Sequence, residues 1–402
     1  MADKVDINKV RILVDGEFYD GWKSALIEMS MTQICRAFVL SVTDDFPGNE
    51  RFLRLQPGQK VELFIGNDKV CTGYITSTPI KYDAKTIDVQ VQGKSRTVDL
   101  VDCCSPWAAI ASGGTGSGSG DSWPEVQGIN PTNSGKPVKA SKTVNTSWHN
   151  VSVEKIIADL CAPYGITVNC QVDIGTKLTN FTVNPGEKVF DSIGRLLRKD
   201  NLVISDDAYG NLVILDAGAG GQCTDSLEVG KNVLSGSANF DFTQVYSKYA
   251  VLGQHKGDDL NFGPAVSQDE GIADDERINR YRLLVIKDTG QSSNAITKNR
   301  AEFEKTYRFQ SVYKSTHTVQ GWRQSDTSLW ALNKMVYVED SILNQSRNLL
   351  INSIKFSLSE KVSTTEIETI DLNAYSRKAN KQSDTNKKDS KNQSSWPDVN
   401  HI

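Results

Sequence analysis

The chain has 402 residues, a length that allows two or three domains and a sizeable core. Charged residues make up 23% and apolar ones 38%, and the mean hydropathy is -0.40, a composition that folds and is not that of a mostly disordered chain. Lys and Arg number 45 against 49 Asp and Glu, so the net charge is -4 with a pI near 5.7, and no net field draws the chain to nucleic acid or to an anionic membrane.

Residues 1–111 read as short strands joined by turns, an N-terminal β-barrel domain. Val10, Ile12 and Val14 alternate before Asp15-Gly16, Ala25, Ile27, Met29 and Met31 alternate after Trp22, and Phe38, Leu40 and Val42 follow. Val61, Leu63 and Ile65 precede a Gly66-Asn67-Asp68 turn, Tyr74-Ile75 comes next, and Ile87, Val89 and Val91 close the series. Many short strands at this spacing predict an antiparallel barrel or sandwich. Residues 112–147 then hold seven glycines and three prolines among Ser, Thr and Asn, which reads as a Gly/Ser-rich flexible loop.

Residues 148–232 read as a small α+β domain. Val153, Ile156, Ile157, Leu160 and Cys161 share one helical face behind a Ser152 cap, and Pro163 stops the helix. A second helix begins near Pro185-Gly186-Glu187, turns Val189, Phe190, Ile193, Leu196 and Leu197 inward and ends in Arg198-Lys199. Leu202-Val203-Ile204 and Leu212-Val213-Ile214 then flank Asp206 to Asn211 as a hairpin. Residues 233–375 read as a second β-barrel domain, with strands at 249–253, 316–320, 335–338, 349–358 and 364–370. A helical insertion near 254–309, with its helix between Ile296 and Phe309, interrupts it and is assigned to a subunit contact. The tail, 376–402, holds six Lys and Arg against three Asp with hardly any apolar content, the composition of a disordered segment. The fold class is thus mainly β with α+β: two antiparallel β-barrel domains flanking a small α+β domain.

Chemistry is sparse. His149, His255, His317 and His401 are not spaced with a second His or Cys as metal ligands are, and His317 sits in an alternating strand, where a structural role is the reading. The seven cysteines form an odd, scattered set without a C-x-x-C pair and read as reduced core thiols. Gly218-Ala219-Gly220-Gly221 follows a strand as a dinucleotide fingerprint does, but its third glycine position is Cys223 and no apolar helix follows. The pairs Asp44-Asp45, Asp206-Asp207, Asp258-Asp259 and Asp274-Asp275 read as turn residues rather than opposed catalytic carboxylates. No catalytic, cofactor-binding or metal-ligating residue is assigned, no cofactor is expected and the chain is read as non-enzymatic. No apolar run is long enough to span a bilayer and Met1 to Val10 lacks a signal core, so the expectation is a product that is cytoplasmic when made, without membrane insertion.

Four stretches carry a family resemblance. They are Val10 to Gly16 with Tyr19-Asp20-Gly21-Trp22; Val89 to Cys103; Ile156 to Ile166 together with Asn184 to Asp191 and Gly210 to Val213; and Val319-Gln320-Gly321-Trp322-Arg323 with the strands to Leu372. In this order they resemble the baseplate hub proteins of contractile-tailed Mu-like bacteriophages, related to the T-even phage hub and more remotely to the N-terminal hub of VgrG spike proteins. The resemblance implies a homotrimer, each subunit giving two similar barrels to a ring of six that joins a sixfold tail tube to a threefold central spike. It also implies tube, spike and other baseplate proteins as partners, genomic DNA only in transit, and a place in the virion tail baseplate after assembly in the host cytoplasm. Two other classes compete. One is a carbohydrate-binding or adhesin-like β protein that stacks sugars on Trp22, Trp107, Trp123, Trp148, Trp322 and Trp330; the other is a tail-borne cell-wall hydrolase.

Overall fold

A computed structural model describes residues 6–45, 54–83, 86–106, 136–138, 145–172, 174, 177–200, 202–254, 269–291, 294–359 and 362–375. They divide into two compact units, one within residues 6–246 and 307–375 and the other within residues 247–306. The chain is mainly β, with few helices.

In the first unit the alternating apolar residues form the strands they predict, and two short strands, at 17–19 and 80–82, join them. These are β1 (Val10–Val14), β2 (Glu17–Tyr19), β3 (Ser24–Ser30), β4 (Ala37–Asp45), β5 (Lys60–Ile65), β6 (Asp68–Ser77), β7 (Ile80–Tyr82) and β8 (Thr86–Ser95), followed by the short helix α1 (Val98–Asp102). Every second residue of β1, β3 and β5 is buried, and Ile12 faces Leu63 across the antiparallel β1/β5 pair. Asp15 and Gly16 both take positive φ, 50° and 84°, which suits the right-handed twist of the β1/β2 hairpin. Pro79 lies between β6 and β7; without an N–H to donate, a proline interrupts a ladder, and β7 resumes pairing with β8.

The small α+β part contains β9 (Lys136–Val138), β10 (Ser147–Ser152), α2 (Val153–Cys161), β11 (Val168–Cys170), β12 (Lys177–Thr182), α3 (Val189–Asp200), β13 (Val203–Asp206) and β14 (Leu212–Leu215). Residues 136–138, inside the stretch read as a flexible loop, pair antiparallel with β11, so the α+β part starts earlier than its composition suggests. Trp107 and Trp123 lie outside the described residues. Val153, Ile156, Ile157, Leu160 and Cys161 of α2 and Val189, Ile193, Leu196 and Leu197 of α3 are buried together in one apolar cluster. Ser152 has the extended backbone of an N-cap but its hydroxyl makes no capping bond, and Pro163 sits within a 3-10 turn, Ala162–Tyr164, that ends on Gly165 at φ 64°. β13 and β14 form the expected hairpin.

The chain then enters β15 (Leu227–Glu228) and β16 (Val233–Ala238). After the second unit come β20 (Ser315–Gln320), β21 (Met335–Asp340), β22 (Gln345–Ser359) and β23 (Val362–Ile370), all joining β1 to β8 in one 14-stranded sheet. The intervening elements are β17 (Lys248–Gln254), β18 (Asp269–Asp274), β19 (Leu283–Gln291) and helix α4 (Asn294–Val312). In the second unit β17 is the centre of a three-stranded sheet, antiparallel to β18 and parallel to β19, so the insertion is α+β rather than helical. Tyr249 and Val251 of β17 are buried there. A Cβ on Gly271 would fall 2.1 Å from the backbone of Thr297, which shows how closely α4 packs on β18.

The large sheet contains a repeat that periodicity alone does not reveal. Its first half runs β3-β4-β8-β6-β5-β1 and its second half β16-β20-β23-β22-β21-β15. Matched in space, these twelve strands also match in chain order, and each series ends in a short helical segment, α1 in the first and the 3-10 turn Leu372–Tyr375 in the second. Two differences stand out: β1 meets β5 antiparallel whereas β15 meets β21 parallel, and β6 with β7 in the first half corresponds to the one long strand β22 in the second. The halves join directly, because β22 pairs with β3 from Ser353↔Ser30 to Ser359↔Ser24. The strand pairing of the described residues follows an open path.

At this joint Ile27 lies opposite Phe356 and both are buried, whereas Lys355 and Glu28 form a 3.3 Å ion pair with both side chains largely in water. Phe356→Ala is expected to cost about 3–5 kcal/mol in urea unfolding, and Lys355→Ala less than about 1 kcal/mol. Equal losses for the two would show that the joint is not held by apolar contact.

Candidate functional site

Three parts of the chain, the two sheet halves and the small α+β part, meet within the first unit, where a set of polar residues locks them together. The β13/β14 hairpin presents a turn at Asp206–Asn211. Asp207 holds it by accepting bonds from the backbone N–H groups of Tyr209 and Asn211, both at 2.9 Å, and Gly210 takes φ 74°. A Cβ on Gly210 would meet the Thr72 carbonyl oxygen at 2.9 Å, so the turn sits directly on β6.

Asp206, fully withdrawn from water, faces Arg36 in the link between β3 and β4. The Arg36 guanidinium donates from Nε to Asp206 Oδ1 at 3.0 Å, from Nη2 to the Asp206 carbonyl at 3.0 Å and from Nη1 to the Val70 carbonyl at 2.7 Å. The Arg36 backbone N–H adds a bond to Asp206 Oδ2 at 3.1 Å. Burial pushes the Asp206 carboxyl above its ordinary range, and Arg36 opposes that shift. Around the pair, Thr72 Oγ1 donates to the Ala208 carbonyl at 2.9 Å, Ser205 Oγ to the Ser30 carbonyl at 3.0 Å, and Arg96 to the Gly165 carbonyl.

The second half is fastened by Asn333 and Arg323. Asn333 Oδ1 accepts from the Gly218 N–H at 2.7 Å and its Nδ2 donates to the Asp216 carbonyl at 2.8 Å. Gly218 to Gly221, which superficially suggested a nucleotide loop, is therefore a strap onto the start of β21. A Cβ on Gly220 would fall 2.4 Å from the Asn333 carbonyl oxygen. Arg323 reaches the first half, with an ion pair to Asp68 at 2.7 Å and bonds to the carbonyls of Ile7 at 2.6 Å and Ile65 at 3.1 Å. A cavity of about 350 Å³ remains where the three parts meet, lined by Met29, Arg36, Asp206, Tyr209, Trp330 and Phe356 among others.

The other residues singled out in the sequence are placed as follows. His317 is fully buried and its Nε2 lies 3.0 Å from Asp340 Oδ2. Burial raises the Asp340 carboxyl, but the N–H groups of Leu343 and Ile342 and the His317 ring outweigh it and hold the carboxyl below its usual range. Asp275 pairs with Arg277 at 2.6 Å, and Asp258 and Asp259 lie outside the described residues. Trp22, Trp148, Trp322 and Trp330 are buried, not displayed as sugar platforms. All seven cysteines are free thiols, and burial pushes Cys223 up to about 11. Among the described residues no group of three or more His, Cys, Asp or Glu is placed to hold a metal ion, and no helix is long and apolar enough to cross a membrane. Arg36 and Asn333 had no sequence signal, because a single arginine or asparagine in a loop carries no pattern; Arg323 fell within the Val319–Arg323 stretch of the family resemblance, but nothing there pointed to its partners.

Sequence comparison places the chain among phage tail proteins. Three family models match in order: Mu phage baseplate assembly protein GpP-like, N-terminal, over residues 9–95; baseplate hub protein gp44-like, second domain, over 138–216; and Mu phage baseplate assembly protein GpP, fourth domain, over 293–377. The chain belongs with the baseplate hub proteins of Mu-like phages. It is 28% identical to the baseplate hub protein gp44 of Escherichia phage Mu over 363 residues, 88% of this chain and 85% of that one. The 43 kDa tail protein of prophage MuSo2 from Shewanella oneidensis is 25% identical, covers 92% of this chain and 100% of its own, and superposes with a TM-score of 0.75. A tail protein from Neisseria meningitidis MC58, 18% identical over 90% of this chain and 96% of its own, shares the fold at a TM-score of 0.68.

Because Asp206 is raised by burial, the folded chain holds its proton more tightly than the unfolded chain, so its contribution to stability is largest in acid and falls as the pH rises through its folded value. Arg36→Met removes the opposing charge and enlarges that effect. The variant is expected to lose about 3–5 kcal/mol near neutral pH. Relative to the parent, the loss should shrink as the pH falls and Asp206 takes a proton. Urea titrations across pH test this; a deficit independent of pH would mean that Asp206 is not the group left uncompensated.

Proposed function

We propose that the chain is the trimeric hub of a contractile tail, an adaptor between a sixfold tube and a threefold central spike. The observation that carries this reading is the repeat: one strand order occurs twice in one sheet, so three copies supply six similar β units, the barrel units of the ring, while the assembly keeps threefold symmetry. The locked three-way junction supports it, because an adaptor that transmits force needs its two β halves held in one orientation. The net charge of -4 is compatible with a lumen through which DNA passes without being retained. Tube, spike and other baseplate proteins are then the partners, and the virion tail baseplate, assembled in the host cytoplasm, is the location.

Light scattering on the purified full chain is expected to give three times 44.3 kDa, about 133 kDa. A mass of twice or four times the chain at all concentrations would contradict threefold assembly.

A further inference from the structure

The repeat and its internal joint together indicate which strands meet between copies. Within one chain, β3 at the start of the first half pairs with the outer side of Ser353–Ser359 in β22. The counterpart of β3 in the second half is β16, whose only ladder among the described residues is with β20, beside a single bridge from Val233 to Val229, and which forms one end of the sheet. The counterpart of the end of β22 is β7: each runs into the strand that follows it through a short turn, β22 into β23 with Ser359↔Val362 and β7 into β8 with Tyr82↔Ile87. β7 likewise pairs only with β8 among the described residues.

The β16 edge has the character of a surface that a second strand covers. From Val233 to Phe240 the sequence Val-Leu-Ser-Gly-Ser-Ala-Asn-Phe holds no charge and no proline, the devices that usually guard an exposed edge. Leu234 is 58% exposed, and on β7 Ile80 and Tyr82 are 44% and 82% exposed. Among the described residues, a single chain thus leaves apolar side chains and unpaired backbone groups along the two strands whose counterparts pair with each other inside it.

We propose that β16 of one copy pairs with β7 of the next, repeating between chains the joint that β3 and β22 make within one. The inference rests on the trimeric reading and deepens it: the contact is head-to-tail, and at three copies it closes a ring in which every β unit has a neighbour on both sides. The occupant of each edge is a second copy of this chain, because within one chain the counterparts of these two strands already pair with each other.

The test uses two double variants of the full chain, Leu234→Asp with Ser237→Asp on β16, and Ile80→Asp with Tyr82→Asp on β7. All four side chains lie on the outer strands, so the thermal midpoint of the monomer should stay within a few degrees of the parent's. Each variant alone should fall threefold in mass, from about 133 kDa to 44.3 kDa. Mixed together at the highest workable concentration, they retain one intact β7 and one intact β16 between them and should give a dimer of twice 44.3 kDa, about 89 kDa, with no growth beyond it. Variants that remain trimers overturn this joint and leave the trimer standing. A mixture that stays monomeric also overturns the joint, and a parent chain that is monomeric at every concentration overturns the trimeric reading and the joint with it.

Discussion

A β-strand at the edge of a sheet has one row of backbone donors and acceptors without partners, and the fold of this chain is organised around satisfying such rows. β22, at fifteen residues, is longer than the strands beside it: its first part is matched by β21, its last part by β3. That surplus length makes one sheet out of two halves. Ile27 and Phe356 then bury the seam, and the β3/β22 ladder fixes the halves in register, since a slip by one residue would turn both side chains out to water.

The polar junction performs a different task. Apolar contact between the sheet and the α+β part would hold them together in several orientations of similar energy, whereas the Arg36 fork fits one placement of the Asp206 turn. Its three donors and its backbone N–H meet Asp206 and the Val70 carbonyl at once. A buried ion pair of this kind adds little net stability over an apolar replacement, and its use here is in fixing geometry. The Asn333 strap and Arg323 fix the second half in the same way, by reading backbone groups that occur at one place only.

Much of the local structure was legible in the sequence. Strands β1, β3, β4, β5 and β8 follow from period-two burial, helices α2 and α3 from their apolar faces, and the β13/β14 hairpin from its turn, because these depend on neighbours in the chain. What the sequence did not disclose depends on distant partners. Tyr249 to Gly253 reads as a strand of the second β half, yet it centres a separate sheet, since periodicity specifies that a strand forms and not which strand it joins. The Gly218–Gly221 segment was already excluded as a dinucleotide loop by Cys223 and the missing helix, but its use as a strap held by Asn333 was not legible. His317 was legible as a structural histidine, but its partner Asp340, 23 residues away, was not. The repeat entered the sequence reading only as the two similar barrels that the family resemblance implies; the residues themselves did not show it, because insertions of unequal length separate equivalent strands.

Hub, repeat and ring make one claim, that a chain with two equivalent β units builds a sixfold arrangement from three copies. Electron cryomicroscopy of the purified assembly tests it most directly. The account predicts a threefold ring with six similar β lobes around a central opening, every neighbouring pair of lobes joined by strand pairing. A closed assembly in which the two lobes of a chain occupy different radii, or in which copies meet through other surfaces, would contradict it.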